Sequence, residues 1–390
     1  MCPAGVVAVS SAGKKPPFAN VYWFPLAAAY AALILPWSVA GQFGWLAAPP
    51  GLRIAWGHGH EMLFGFALAV VAGYVLGPLP KRQILSFVVL WVLARVTFLL
   101  WPGSGLAALC NVAFVLVLLW RIVPIFLKTA KKWRNRSVAF IVMGLALAMA
   151  AFHWQVQANP AQLSRLLFLD TILLFSTLMF FMGGRLLAPA IAGHLKQQGR
   201  TLKDKVQPRL EGAVLLLLAL SLCSNLPMLP WTSGVMAAAL VACALLTLVR
   251  LLRWRFWHCL DRADLLALLL GYSWLIAGWL LVAWSLVARQ SALTLAFHAI
   301  TVGALGTLTL TVMARTRLHR VLKDPNAIPA FYLLVLLISV AALLRLSLPW
   351  FSFRQALWLA MGCWSLAYVG LLILLLTLGW REKRPSPAKA

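Results

Sequence analysis

Between Trp56 and Phe66 the chain reads Trp56-Gly57-His58-Gly59-His60-Glu61-Met62-Leu63-Phe64-Gly65-Phe66. In a protein with only seven histidines and eight acidic residues, two imidazoles and a carboxylate within four positions form a concentration of chemistry. Neutral imidazole can ligate a transition metal or a haem iron, and imidazole beside carboxylate can move a proton. The same stretch also reads as a plain helix start, with Glu61 favourable in the first turn and the histidines at the lipid headgroup level. If the turn is helical, His58 and Glu61 share a face and His60 points elsewhere. The two imidazoles converge on one ion only if the turn is irregular, which Gly57 and Gly59 permit.

The elements that must position these groups are membrane helices. The chain has 390 residues, 63% hydrophobic and 11% charged, with a mean hydropathy of +0.90. Apolar runs of 18 or more residues recur from end to end without the alternation a β-barrel requires. The expected fold is all-α, a polytopic transmembrane helical bundle of about twelve helices. The spans lie near 22–44, 60–79, 84–101, 105–127, 137–156, 163–188, 212–229, 232–252, 263–288, 291–314, 329–348 and 354–379. The first, with Pro25 and Pro36 inside it, is too long for a signal-peptide core and reads as a retained helix. Six cysteines without paired spacing do not describe a disulfide framework or a zinc knuckle.

The net charge of +26 does not imply nucleic acid, because the basic residues occur as short clusters between apolar spans. Most of the 34 Lys and Arg fall in alternate connections: Lys14 and Lys15, Lys81 and Arg82, Lys128 to Arg136, Lys196 to Arg209, Arg253 to Arg262, Arg315 to Lys323, and Arg381 to Lys389. The opposite connections hold Arg53, Arg165, Arg289 and Arg354. That bias places both termini in the cytoplasm and the clusters against the lipid bilayer. The chain then divides into a cytoplasmic segment 1–21, a first six-helix half 22–192, a basic loop 193–211, a second half 212–380 and a basic tail 381–390.

With this orientation, His58, His60, Glu61 and His153 fall at the outer face. Arg95, Asp170 and His298 lie at about 10 Å depth beneath it. Buried charges need partners, so Arg95 either pairs with Asp170 or holds an acidic cofactor group, whereas His153 suits an interfacial position beside Trp154. His298 sits deep in a helix striped with Ala292, Ala296, Ala299, Gly303 and Gly306 and is the hardest of these to read as structural. His194 and His258 read as solvated residues of basic connections. His319, after Arg315 and Arg317, either does the same or meets a phosphate.

His58-x-His60-Glu61-Met62-x-Phe64-Gly65-Phe66, followed by Ala69 and Gly73-Tyr74, resembles the hallmark of the NnrS family. A second match is His298-Ala-Ile-Thr301-Val302-Gly303-Ala-Leu-Gly306 leading to Val312-Met313-x-Arg315, and a third is Gly183-Gly184-Arg185. The chain departs from the family pattern at Gly77-Pro78-Leu79-Pro80-Lys81 and at Leu318-His319-Arg320-Val321. The resemblance implies a bacterial inner-membrane protein carrying haem and copper in the response to nitric oxide, with no defined catalytic reaction. It points to His60, His298 and Arg95 for the haem and to His58, His60 and His298 for metal. Glu61, His153, Asp170, Arg185, Arg315 and His319 stand in support. A secondary transporter is the competing reading of twelve helices. A haem–copper oxidase would demand six histidines in or near the membrane, and only His58, His60, His153 and His298 qualify.

Overall fold

The computed structural model describes residues 16–128, 133–159, 163–224, 232–288, 293–348 and 352–383. Lys14 and Lys15, Lys131 and Lys132, Arg289 and the tail from Arg384 lie outside them. The described residues form an all-α polytopic bundle. Its long helices are α1 (Asn20–Gln42), α2 (57–75), α3 (Lys81–Leu100), α4 (Gly105–Lys128), α5 (Trp133–Ala158), α6 (Arg165–Gln197), α7 (Pro208–Cys223), α8 (Thr232–Arg253), α9 (Ala263–Val287), α10 (293–322), α11 (Phe331–Leu346) and α12 (Phe353–Lys383). Among the described residues, nine are long and apolar enough to cross a membrane, and α11 is apolar but shorter. The remaining two, α2 and α7, fall where spans are expected.

Lipid cannot hydrogen-bond a backbone, so each crossing segment must satisfy its own N–H and C=O groups, which a helix does. Hydroxyls follow the same logic. Ser176 Oγ donates to Ile172 O (2.9 Å), Thr177 Oγ1 to Leu173 O (2.7 Å) and Thr311 Oγ1 to Thr307 O (2.7 Å), each burying its polar atom on its own helix. Leucine and tryptophan side chains such as Leu147 and Trp154 stay on the outside, as a lipid-facing surface allows.

The two expected halves share one core. The first helix packs along the last, and Trp364 Nε1 of α12 donates to Ala31 O of α1 at 3.0 Å. Helices α6 and α10 are the most enclosed and pack with α9 at the centre. The basic loop expected at 193–211 is shorter than predicted. Helix α6 continues to Gln197 and α7 begins at Pro208. His194 is consequently buried, with its Nε2 3.0 Å from Asp261 Oδ1, and is not the solvated loop residue expected. The departure at Gly77–Lys81 has a structural use: Ala19 N donates to Gly77 O (2.8 Å) and Leu79 N to Pro17 O (3.0 Å), tying the entry of α1 to the exit of α2. Gly77 supplies the left-handed φ of +66° this turn needs.

Candidate functional site

Both histidine motifs sit at the start of a π-helical stretch. In α2 the wide turns run Glu61–Ala67, directly after His60, and in α10 they run Ala299–Gly306, directly after His298. Wide turns loosen backbone hydrogen bonding and rotate later side chains off the α-helical face, and they recur at functional sites. Small residues make these two possible. A Cβ on Gly65 would come within 2.8 Å of Tyr30 and 3.0 Å of Arg95, one on Gly303 within 2.5 Å of the Trp274 ring, and one on Gly306 within 2.7 Å of Trp364. The chain enters α2 through Trp56, a bulky residue held at φ +64° in the left-handed region. Its ring stacks on Phe168 of α6 at 4.7 Å.

His58 and His298 line the same cavity, of about 250 Å³, together with Trp56, Phe168, Phe297 and Arg345. A smaller neighbouring cavity of about 70 Å³ shares His58, His298, Arg345 and Trp364. His298 Nδ1 lies 2.8 Å from Thr294 O; a carbonyl can only accept, so Nδ1 carries the proton and Nε2 keeps its lone pair. Among the described residues, His58 Nδ1 and Arg345 Nη1 are buried without a hydrogen-bond partner. Buried polar atoms are ordinarily paired, so such orphans mark a place where a ligand group is wanted.

His60 is not in that cavity. Positions 57–60 are helical, so a side chain two residues beyond His58 projects to the other side of the turn. The irregularity begins one residue too late to bring both imidazoles together. His60 is fully buried in a second cluster, held between Phe98 and Phe152 with ring centroids at 3.8 and 4.5 Å. His153 stands edge-on at 5.2 Å and is buried, not interfacial. Glu61 organises this cluster: Oε1 accepts from His60 Nδ1 (2.8 Å) and Arg95 Nη1 (2.7 Å), and the second oxygen accepts from Tyr30. Arg95 also donates to Asn111, which is held by Ala94 O and Ala107 O. The carboxylate that Arg95 meets is thus Glu61, where depth alone suggested Asp170, a half-buried residue of α6. Among the described residues, His60 Nε2 and both ring nitrogens of His153 have no hydrogen-bond partner.

The structure thus brings His58 to His298, and His60 to His153, Glu61 and Arg95, as two adjacent sites built partly from one turn. It adds Arg345, Tyr30 and Asn111, which spacing did not single out. An arginine near the end of the apolar α11 run and an asparagine within α4 were the available signals, each costly in lipid without a partner. The remaining supporting residues lie at the opposite end of the bundle. Arg315 Nε donates to the fully buried Asp264 (2.9 Å), which Arg262 also meets (3.0 Å). Arg185 and His319 are exposed. Among the described residues no three His, Cys, Asp or Glu side chains group to hold a metal ion by themselves.

The family model described as "NnrS protein" matches residues 22–383. No curated protein matches the chain.

Proposed function

The chain belongs to the NnrS family, and from that premise we propose that it is a membrane haem protein of the nitric oxide response. His58 and His298 would hold the haem, and the buried His60–His153 pair would offer a separate place for copper. The observation that supports this most is the convergence of two imidazoles and an arginine with an orphaned N–H on one cavity with largely apolar walls. A metal held by protein alone needs a full ligand set, whereas a porphyrin supplies four of the iron's nitrogens and leaves one or two axial positions to imidazole.

The donor chemistry fits. His298 has its tautomer fixed by Thr294 O, the outer-shell arrangement characteristic of metal-bound histidine. Arg345 is placed for an acidic haem substituent, since a guanidinium recognises carboxylate through paired N–H donors. The two adjoining cavities open on the same His58, His298 and Arg345. Haem iron, when bound, would supply the centre that takes nitric oxide. Trp56, Phe168 and Phe297 exclude water from that side, while Glu61 holds the His60 proton on Nδ1 and leaves Nε2 as a donor atom. Imidazole donors suit copper better than they suit a hard cation such as Mg²⁺.

The absorbance spectrum of purified protein, reduced with and without nitric oxide, tests the reading. A Soret band that shifts on adding the gas is expected, and a protein isolated without haem that takes up none on reconstitution would overturn it. The site faces the outer side of a bacterial inner membrane with both termini cytoplasmic, a placement supported by the alternation of basic connections. Reporter fusions after Lys205 and after Arg289 should therefore give opposite signals. Matching signals would place the two cavities elsewhere.

A further inference from the structure

Gly183-Gly184-Arg185 plays no part in the histidine sites and lies just past the middle of α6. Its glycines are needed for close approach. A Cβ on Gly183 would fall 2.8 Å from the Tyr272 ring, and one on Gly184 would fall 2.6 Å from Arg250 Nη2. Arg250, buried between the faces of Phe180 (4.7 Å) and Trp254 (4.6 Å), donates to Glu211 Oε1 at 2.7 Å. Arg134 takes the other oxygen of the same carboxylate. One carboxylate therefore faces two guanidiniums.

Beside this group opens a cavity of about 240 Å³ between the starts of α5 and α7 and the middle of α6. Arg134, Arg185 and Lys205 line it, and among the described residues Glu211 is its only acid. Among the described residues neither Arg185 nor Lys205 has a carboxylate partner. Arg185 instead rests on the Phe181 ring at 5.3 Å, and Ala188, Pro189 and Val206 give the cavity an apolar wall. Counting Arg250 behind Gly184, four cations meet one anion among the described residues, an excess that attracts an anionic ligand.

Depth identifies the ligand's source. Arg165 and Arg185 are twenty residues apart on one continuous helix, about 30 Å at 1.5 Å per residue. That spacing is the thickness of a bilayer's hydrocarbon core. The cavity therefore lies at the level of phosphate headgroups, and basic pockets between membrane helices on the basic side suit such groups. We propose that the cavity lined by Arg134, Arg185 and Lys205 binds the phosphate headgroup of an anionic phospholipid, with the apolar wall taking the start of an acyl chain.

The test uses full-length, delipidated protein in native mass spectrometry, with phosphatidylglycerol, phosphatidylcholine and inorganic phosphate as probes. Wild type should retain one phosphatidylglycerol in preference to phosphatidylcholine. Arg185→Gln with Lys205→Gln should weaken that retention about 25-fold, at roughly fivefold per charge near the surface. Arg185→Lys should keep most of it, and so should Lys81→Gln with Arg253→Gln, which remove exposed charges of the same end. Equal retention of the two lipids, or unchanged retention in the Arg185/Lys205 variant, would overturn the site. Displacement of the lipid by millimolar inorganic phosphate would reassign it to a free anion and overturn the lipid assignment. The haem spectrum plays no part in this readout, so the two readings stand or fall separately.

Discussion

His298→Ala should abolish or reshape the Soret band of the purified protein, and His58→Ala should do the same or leave a haem with altered axial ligation. Both side chains face one cavity with Arg345, and the Nδ1 bond to Thr294 O leaves His298 Nε2 as the free donor atom. Loss of a ligand should cost more haem affinity than the about 10–100-fold typical of outer-shell changes. Arg345→Gln belongs to the milder class and should weaken haem retention without changing the axial ligand signature. His60→Ala should spare the Soret band, because His60 lies in the neighbouring cluster, while lowering copper content. His194→Ala, at the opposite end and bonded to Asp261, should change neither. Full haem occupancy in a His58→Ala, His298→Ala double variant would remove the cavity from consideration as the haem site.

The helices were legible because lipid imposes one rule on every span: apolar side chains outside and a backbone closed on itself. The limits of α6 were not. Its polar last turns continue past the predicted 188 to Gln197, since there protein contacts, among them His194 with Asp261, replace lipid in covering the helix. Rarity made the histidines visible, and their similar depth along the spans put His58, His60, His153 and His298 at one end of the bundle. What spacing could not settle was which imidazole faces which neighbour. That depends on where the wide turns begin, after His60 and after His298, and those turns depend on tertiary fits at Gly65, Gly303 and Gly306. Depth alone also offered Arg95 either Asp170 or an acidic cofactor group, and the helix rotation brings it to Glu61 instead. Arg345 and Tyr30 enter the sites by the same rotation, from helices whose sequences carry no motif.

Arg95→Met should destabilise the protein by about 3–5 kcal/mol, the range for breaking a buried ion pair by removing one partner. Arg95 and Glu61 are each buried, and their contact of 2.7 Å lies in a medium where an unpaired charge keeps its full desolvation penalty. Removing the guanidinium leaves the Glu61 carboxylate with only neutral donors, from Tyr30 and His60. It also leaves Asn111 without one of its partners. Glu61→Gln should cost a similar amount by stranding Arg95. The double variant, Arg95→Met with Glu61→Gln, should recover much of the loss, because a neutral pair no longer carries an uncompensated charge. Recovery of stability should not restore the metal chemistry. Glutamine is a weaker acceptor for the His60 Nδ1–H than carboxylate, so copper retention at the His60–His153 pair should stay about 10–100-fold below wild type. Thermal unfolding of the four proteins, read beside their copper content, separates the two effects. Additive destabilisation in the double variant would show that Arg95 and Glu61 act independently, and wild-type copper content would take Glu61 out of the metal site.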